Sequence, residues 1–200
     1  MDSPETRLRT VVRRSPLVAT VLDRWAQIGL PDCWLVAGAV AQTVWNDGFG
    51  LPSTYGISDI DLVYFDADDL SEDAEARHSV RIRGLFADLN VWFDVKNEAR
   101  VHLWYAKKFG NAIAPYVSTE DAITTFPTTA TATGVQPGSD VLRVSAPYGL
   151  SDLLSLVIRP NRKQITQSVY DAKVAKWLAL WPGLRVIPWH AGSTLGEIDQ

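Results

Sequence analysis

Hydrophobic residues along the chain change their spacing several times, and each change predicts a different element. Apolar side chains recur every three to four residues over 17–28, which predicts an amphipathic helix that ends at Gly29. A continuous apolar run over 33–37 is typical of a strand buried on both faces. Gly38 and a second helical pattern over 39–46 follow at once. The pattern therefore predicts a glycine at a strand–helix junction, where helix amides face whatever lies over the strand tip.

The next strand begins with alternating carboxylates and aliphatic side chains. A strand has a side-chain period of two, so Asp59 and Asp61 should share one face while Ile60 and Leu62 point to the core. Two like charges at this spacing repel each other unless a proton or a cation lies between them. A hard divalent ion such as Mg²⁺ prefers such oxygen ligands. A solvent-exposed acidic turn is the alternative interpretation of a bare D-x-D pattern.

Further along the chain, a helix is predicted over 71–89 and a third strand over 91–96. Asp94 stands between apolar neighbours in that strand, so its carboxylate needs a cation, a donor or water if the strand is internal. The stretch from Asp61 to Asp94 is long enough for a crossover helix. Residues 99–105 form another short element, either strand or helix. The remaining predicted elements are a short helix over 118–123, a hairpin with strands at 128–135 and 141–144, and helices over 150–158 and 163–180.

Composition narrows the class of protein. The chain is 46% hydrophobic and 21% charged, which is ordinary for a globular domain, and its net charge of −4 argues against an extended nucleic-acid surface. Cys33 is the single cysteine, which excludes an intrachain disulfide and a cysteine-based zinc cluster. No apolar run is long enough for a membrane span, and 1–14 lacks a secretory pattern. We therefore expect a cytoplasmic protein with no membrane partner.

One domain is expected over 1–188, followed by a frayed tail at 189–200. Residues 1–15 are predicted to be a loose arm or a short helix. The tryptophans in segments with a core-like pattern are assigned to packing, without a chemical role: Trp104, Trp177, Trp181 and Trp189.

Three features together resemble the nucleotidyltransferase superfamily, whose fold is polymerase-β-like. They are the strand, glycine and helix over 34–45, the D-x-D pattern at 59–61, and the lone carboxylate of Asp94 on a later strand. The chain is most similar to a small bacterial nucleotidyltransferase-like family. The matching stretches are 38–39, 44–47, 59–66, 95–105, 129–134 and 146–153.

The resemblance implies an α/β (α+β) fold: a minimal nucleotidyltransferase core with a mixed central β-sheet flanked by helices, and a C-terminal hairpin and helices packed on it. It also implies metal-dependent transfer of a nucleoside monophosphate from a nucleoside triphosphate to an acceptor hydroxyl. The acceptor is a protein, an RNA or a small molecule. Asp59, Asp61 and Asp94 would be the catalytic residues and would bind two Mg²⁺ or Mn²⁺ ions.

The resemblance also implies nucleotide-binding residues. The amides of Gly38 and Ala39 would hold the β- and γ-phosphates. Lys96 follows Asp94 on the same strand face and is a candidate counter-charge, with an exposed strand lysine as an equal alternative. In the superfamily, a glycine or serine follows the first glycine, and here Ala39 stands there instead. In the family, an Arg-Asn pair comes next, and here Ala41-Gln42 occupy that region.

Two other functions stay open, and the Ala41-Gln42 departure favours the first of them. One is a catalytically retired nucleotidyltransferase that acts as a binding or regulatory protein. The other is a D-x-D glycosyltransferase, which also holds a metal-bound diphosphate.

Several further polar residues have two interpretations each. His102 is either a proton carrier or a hydrogen-bonded structural histidine. Arg100 either contacts substrate or pairs with Glu98 or Asp94. The lysines at 173 and 176 either reach nucleotide or form a solvated helix face.

Overall fold

The structure, a computed structural model, describes residues 2–190. The helices in this range are α1 Pro4–Arg14, α2 Pro16–Asp23, α3 Trp25–Ile28, α4 Ala37–Phe49, α5 Glu72–Leu85, α6 Val101–Phe109, α7 Thr119–Ile123, α8 Ser151–Leu154 and α9 Gln167–Leu180. The strands are β1 Trp34–Val36, β2 Asp59–Tyr64, β3 Trp92–Asn97, β4 Gly134–Gln136, β5 Arg143–Ser145, β6 Val157–Ile158 and β7 Arg185–Val186. A short 3-10 turn, Glu98–Arg100, joins β3 to α6.

The central sheet has the strand order β3-β2-β1-β4-β5. β2 and β3 are parallel and are connected by the crossover helix α5, whereas the other neighbouring strands are antiparallel. The predicted mixed sheet flanked by helices is therefore confirmed. β6 and β7 form a small parallel pair beside the main sheet.

The two faces of the sheet differ in what they bury. Ile60 and Leu62 of β2 and Phe93 and Val95 of β3 lie in the large hydrophobic core together with residues of α1, α2, α4 and α5. Phe93 stacks on Phe86 with ring centroids 4.6 Å apart. The opposite face carries the carboxylates and a smaller apolar cluster, which we call the front cluster: Trp34, Val36, Val63, Ile123 and Ala132.

Gly134 allows the front cluster to close against the sheet. A Cβ at this position would lie 3.0 Å from Val36 Cγ1 and 3.1 Å from Ile123 Cδ1. Both distances are tighter than ordinary side-chain packing, so only glycine leaves room for these neighbours. β4 can therefore pair with β1 while Ile123 of α7 still packs in the front cluster.

The C-terminal helix is tied to α4 by tryptophan packing. Trp181, which follows α9, is fully buried, and its indole N–H donates to Asn46 Oδ1 at 2.8 Å. Asn46 Nδ2 in turn donates to the carbonyl oxygens of Ser53 and Tyr55. Trp45 packs edge-on against Trp181 at 5.4 Å. The predicted packing of the C-terminal helices on the core is confirmed, and this contact fixes the loop that leads into β2.

Several local predictions differ from the structure. The predicted helix over 17–28 is divided at Arg24 into α2 and α3. The helix predicted over 150–158 ends at Leu154, because Leu156 adopts φ +58° and the chain then enters β6. In the hairpin, the first strand begins only at Gly134, because the threonines before it bond to one another in a turn.

Both ends of the described chain pack on the rest of the protein, and the N-terminal segment forms the helix that was one of its two predicted alternatives. The N-terminal segment is a regular helix, α1, whose Leu8, Val11 and Val12 are buried. Trp189, the start of the predicted tail, packs beside Tyr170 with ring centroids 5.8 Å apart. The rest of that tail, 191–200, lies outside the described residues. Within 2–190, no helix is both long enough and apolar enough to cross a lipid bilayer.

Candidate active site

The carboxylates of β2 project from the front face of the sheet, as the alternation predicts. Ile60 and Leu62 are fully buried on the back face, while Asp59 and Asp61 are half-buried on the front. Asp59 accepts a hydrogen bond from the hydroxyl of the neighbouring Ser58 at 2.6 Å. β2 therefore presents two carboxylates beside the front cluster.

The parallel register brings a third carboxylate to the same place. Asp61 pairs with Asp94 across the β2–β3 ladder, so the two residues are direct neighbours on one face of the sheet. Neighbouring strands lie about 4.8 Å apart, which leaves the carboxylates of the pair close together. The structure thus brings Asp59, Asp61 and Asp94 together, although their catalytic and metal-binding roles stay predictions.

Asp61 is the electrostatic centre of this group. Burial, and then the negative charges of Asp59 and Asp94, raise its pKa from 3.8 to about 7. The Gly38 amide and the more distant charge of Lys173 act in the opposite direction and do not offset the burial. Asp61 makes no ion pair within the described chain. A positive charge is what this position lacks.

The donor set fits a hard divalent ion. Three carboxylates on adjacent strands supply the oxygen ligands that Mg²⁺ and Mn²⁺ take, and the charges of Asp59 and Asp94 add to the burial that raises the pKa of Asp61. Within 2–190, however, no three acidic, histidine or cysteine side chains are already arranged around one metal position. Asp94 is instead turned toward Lys96, whose Nζ lies 3.3 Å from Asp94 Oδ1. A cation bound by all three carboxylates would have to displace this ammonium group.

Lys96 forms an ion pair with Asp94, and neither of its two predicted roles included this contact. Lys96 was predicted either to bind nucleotide or to be an exposed strand lysine. It is half-exposed, and its partner within the described residues is Asp94. Its role in nucleotide binding stays a prediction.

The turn from β1 into α4 borders Asp61 on the other side. Val36 is the antiparallel partner of Asp61, and α4 begins at Ala37, two residues earlier than predicted. Ala37 adopts φ +53°, an unusual conformation for a non-glycine residue, and its amide donates to the Thr133 carbonyl oxygen at 3.0 Å. A Cβ on Gly38 would lie 3.6 Å from Asp61 Oδ2. The turn therefore places the Gly38 backbone directly against the carboxylates.

The start of α4 has no side-chain cap, because its N-cap residue is Val36. The uncapped amides carry the partial positive charge of the helix. Ala39 is fully buried in the core, so it can offer a ligand only its backbone. Gln42 is buried beside Gly38, and its Oε1 has no partner within the described residues.

The ammonium group of Lys173, from the distant helix α9, adds positive charge near the carboxylates. Lys173 of α9 is solvent-accessible, yet the protein around it desolvates the ammonium group and lowers its pKa. Asp61 and Asp59 act to raise that pKa, while Lys176 and Lys108 lower it. The spacing of Lys173 and Lys176 was one signal of a shared helix face. Lys108 gave no signal, because 107–115 was predicted to be loop and α6 extends to Phe109.

Glu98 is a buried acid that the sequence analysis did not assign to the site. Burial, followed by the charges of Glu75 and Asp61, raises its pKa from 4.5 to about 8. It follows Asp94 and Lys96 at the same two-residue spacing, which is the signal that could have identified it. Glu98 therefore continues, in the 3-10 turn after β3, the row of polar residues formed by Asp94 and Lys96.

Two predicted roles near this row need correction or remain open. Arg100 does not pair with Glu98 or Asp94; its guanidinium lies 2.9 Å from Glu75 and 4.0 Å from Glu72. His102 was expected to be either a proton carrier or a hydrogen-bonded histidine. Its buried Nδ1 has no hydrogen-bond partner in the part of the chain that the structure describes.

Comparison with known proteins identifies the family. A family model described as nucleotidyltransferase matches residues 23–186, which is most of the chain. A solved structure described as an NMR structure that reveals a CCA-adding enzyme head domain has a TM-score of 0.77 and 25% sequence identity, over 92% of this chain and 95% of that one. A CCA-adding enzyme in complex with CTP aligns with a TM-score of 0.44 and 16% identity, over 87% of this chain and 40% of that one. Among curated proteins, none matches. The chain belongs to the nucleotidyltransferase family and has its polymerase-β-like fold.

Proposed function

We propose that the protein transfers a nucleoside monophosphate from a nucleoside triphosphate to an acceptor hydroxyl, in a metal-dependent reaction. The observation that carries this proposal is the β2–β3 register, which aligns Asp61 with Asp94 beside the Gly38 turn. Family membership and the likeness to a CCA-adding enzyme head domain support a nucleotide donor. The family match also makes a D-x-D glycosyltransferase the weaker alternative.

The reaction is an in-line displacement at the α-phosphorus. The acceptor oxygen forms a bond to this phosphorus, the bond to the oxygen that bridges the α- and β-phosphates breaks, and pyrophosphate leaves. The hydroxyl proton passes to a nearby base or to water. Catalysis of such a step rests on positioning and on stabilisation of developing charge.

Different residues of the site would bind the metal ions and the phosphates. Asp59, Asp61 and Asp94 would hold Mg²⁺ or Mn²⁺. Bound ions supply positive charge to the phosphates and to the attacking oxygen. The Gly38 and Ala39 amides, at the uncapped start of α4, suit the β- and γ-phosphates.

Lysines of α9 complete the proposed donor site. Lys173 and Lys176 of α9 would supply the positive charge that the chain lacks at Ala41 and Gln42, where the resemblance implies an Arg-Asn pair. Lys173 is electrostatically coupled to Asp59 and Asp61, so it is the stronger candidate of the two.

A retired nucleotidyltransferase is the second candidate, and one observation favours it. The Lys96 ammonium group forms an ion pair with Asp94, at the position where a catalytic metal would bind. Such a protein would still bind nucleotide at the Gly38 turn. It would act by binding or regulating a partner instead of by catalysis.

Transfer assays with α-³²P-labelled ATP, CTP, GTP and UTP and with Mg²⁺ or Mn²⁺ would separate the two candidates. Cell extract supplies acceptors of every class, and nuclease or protease treatment of the labelled product then identifies the class. Asp61→Asn is the test variant, and Asp68→Asn, an exposed acid beyond β2, is the matched control. Label transfer that requires Asp61 but not Asp68 supports the enzyme.

Calorimetry with a nonhydrolysable triphosphate and Mn²⁺ provides the second measurement. Binding without transfer would support the retired protein. If Asp61→Asn and the wild type bound the Mn²⁺–nucleotide equally, the metal assignment would be wrong.

A further inference from the structure

A polar cavity of about 230 Å³ lies beside β3, on the side away from the Gly38 turn. Its lining residues come from α5, β3, the 3-10 turn and α6: Glu72, Glu75, Lys96, Arg100, Trp104 and Lys108. Trp104, which the sequence assigned to packing, is half-exposed here, and Lys108 Nζ lies 5.5 Å from the centre of its indole ring. The cavity therefore combines an aromatic surface with cationic groups.

One cationic side chain of the cavity, Lys108, can bind an anionic ligand. Arg100 and Glu75 are 2.9 Å apart and largely neutralise each other, and Glu75 also accepts from the Asn97 amide at 2.8 Å. Glu72 is well exposed and lies 4.0 Å from Arg100. Lys108 makes no ion pair within 2–190. Its ammonium group is thus available to a ligand, whereas the Lys96 ammonium group at the boundary of the cavity is paired with Asp94.

Lys96 connects this cavity to the carboxylates. Its side chain lines the cavity while its ammonium group lies 3.3 Å from Asp94. β3 is the edge strand of the sheet, so β2 and the carboxylates separate the cavity from the Gly38 turn. A phosphorus atom placed over the carboxylates would therefore have the helix amides on one side and this cavity on the other.

We propose that the cavity beside Trp104 binds the acceptor, and that the acceptor is a nucleotide unit. Its base stacks on the Trp104 indole, its phosphate pairs with Lys108, and its hydroxyl is directed to Asp94. Indole and cation together are the recurring means of holding single nucleotides, because every base has a face for stacking. The acceptor assignment rests on the proposed transferase function, whereas nucleotide binding at the cavity does not.

The same chemistry belongs to a free nucleotide and to the end of an RNA strand. The test uses both probes, AMP and a short single-stranded oligoribonucleotide with a free 3′-hydroxyl. Binding is measured by calorimetry in buffer without metal or triphosphate. Glucosamine, a cationic sugar, is the third probe. It would bind to the acidic residues if the cavity preferred cations to anions.

The variants are matched in pairs. Lys108→Glu is paired with Lys107→Glu, which makes the same charge change at the adjacent position of α6, outside the cavity lining. Trp104→Leu is paired with Trp92→Leu, an exposed tryptophan of β3 that does not line the cavity. Thermal melting establishes that each variant is folded. Lys108 is a surface residue, so its variant keeps the test valid if Trp104→Leu does not fold.

We expect Lys108→Glu and Trp104→Leu each to weaken binding of the nucleotide probe about tenfold, while both controls stay within about twofold of the wild type. Preference for AMP would identify a free nucleotide, and preference for the oligoribonucleotide would identify a strand end. The proposal is overturned if neither probe binds at millimolar concentration or if glucosamine binds in their place. It is also overturned if Lys173→Gln, on the donor side, weakens binding more than Lys108→Glu does.

Failure of this proposal can be told apart from failure of the transferase function. Nucleotide binding that depends on Lys108 in a protein that transfers no label would leave the cavity assignment in place and remove the transferase. Label transfer that is unchanged by Lys108→Glu and Trp104→Leu would leave the transferase and remove the acceptor site.

Discussion

Two carboxylates of this protein, Asp61 and Asp152, have opposite surroundings. Asp152 in α8 accepts hydrogen bonds from Arg159 Nε at 2.8 Å and from the Thr129 hydroxyl at 2.6 Å. Burial acts to raise its pKa, but these two donors lower it below its usual value. Asp61 lies among other acids, and its pKa is raised to about 7.

The difference separates a structural acid from a functional one. The neighbours of Asp152 satisfy it fully, so the charge stabilises the fold and needs no ligand. The neighbours of Asp61 oppose its charge, so the folded protein carries an electrostatic cost that a bound cation would relieve. Mutations in the two regions should therefore affect activity and stability in opposite ways.

The largest effect should come from Asp61→Asn. We expect label transfer to fall by roughly 1,000-fold, since charge stabilisation at the reacting phosphate is lost. The free energy of unfolding at pH 8, without metal, should stay the same or increase, because the amide removes a desolvated charge from beside Asp59 and Asp94. Urea denaturation measures the second quantity. A clear loss of stability would mean that Asp61 is a structural acid like Asp152.

Gly134→Ala should have the next largest effect, on stability. The added methyl group would meet Val36, Ile123 and Trp34 of the front cluster, at 3.0 to 3.3 Å. We expect the free energy of unfolding to fall by about 1–3 kcal/mol. Gly84→Ala in α5 is the control, because its Cβ would meet no atom within 4 Å. The control should gain roughly 0.5–1 kcal/mol from helix propensity; a similar gain at Gly134 would show that the front cluster is loosely packed.

Lys173→Gln tests whether the positive charge of α9 belongs to the site region. We expect KM for the nucleoside triphosphate to rise about tenfold, because a charge-assisted contact to phosphate is lost. Stability should hardly change, since Lys173 makes no ion pair within the described residues. Steady-state kinetics against Lys107→Gln measure the effect. Equal KM values for the two variants would limit the donor site to the Gly38 turn.

The smallest effect should come from Asp152→Asn, and it should depend on pH. Because the native pKa of Asp152 is below its unfolded value, the ionised carboxylate contributes stability above the unfolded pKa of about 3.9. That contribution is lost as the pH falls through the native pKa. At pH 7 we expect a loss of at most about 1 kcal/mol, since the Arg159 partner is half-exposed.

Urea denaturation at pH 7 and near pH 2 measures the dependence of this loss on pH. The difference between Asp152→Asn and the wild type should disappear at the lower pH. Asp68→Asn should show no such dependence. A constant difference at both pH values would mean that the contribution of Asp152 is steric instead of electrostatic.

The parts of the fold and the site that could be predicted from the sequence are those that depend on local residue spacing. The alternation around Asp59 and Asp61 assigned both faces of β2, and the room for a crossover after Asp61 brought Asp94 to the neighbouring strand. Gly38 at a strand–helix junction was predicted for the same reason. These features depend on the side-chain periods of two residues in strands and 3.6 residues in helices. Both periods can be recognised in a single sequence.

Contacts between distant segments were not predicted. The ion pair of Lys96 with Asp94 depends on rotamers, and the approach of Lys173 to Asp61 depends on where α9 packs. Trp104 has a core-like spacing in α6, yet it lines a polar cavity because α6 lies at the edge of the sheet. A single sequence contains no signal of which long-range neighbours a surface side chain will meet.

The hydrogen bond between Trp181 and Asn46 has a consequence for fragments of this protein. Asn46 lies in the helix that begins at the Gly38 turn, and Trp181 fills space against Gly56 in the loop before β2. A shortened chain that stops before Trp181 would leave a hole beside Trp45 and an unpaired buried amide. The C-terminal end of α9 is thus part of the smallest unit that can fold with its phosphate-facing elements in place.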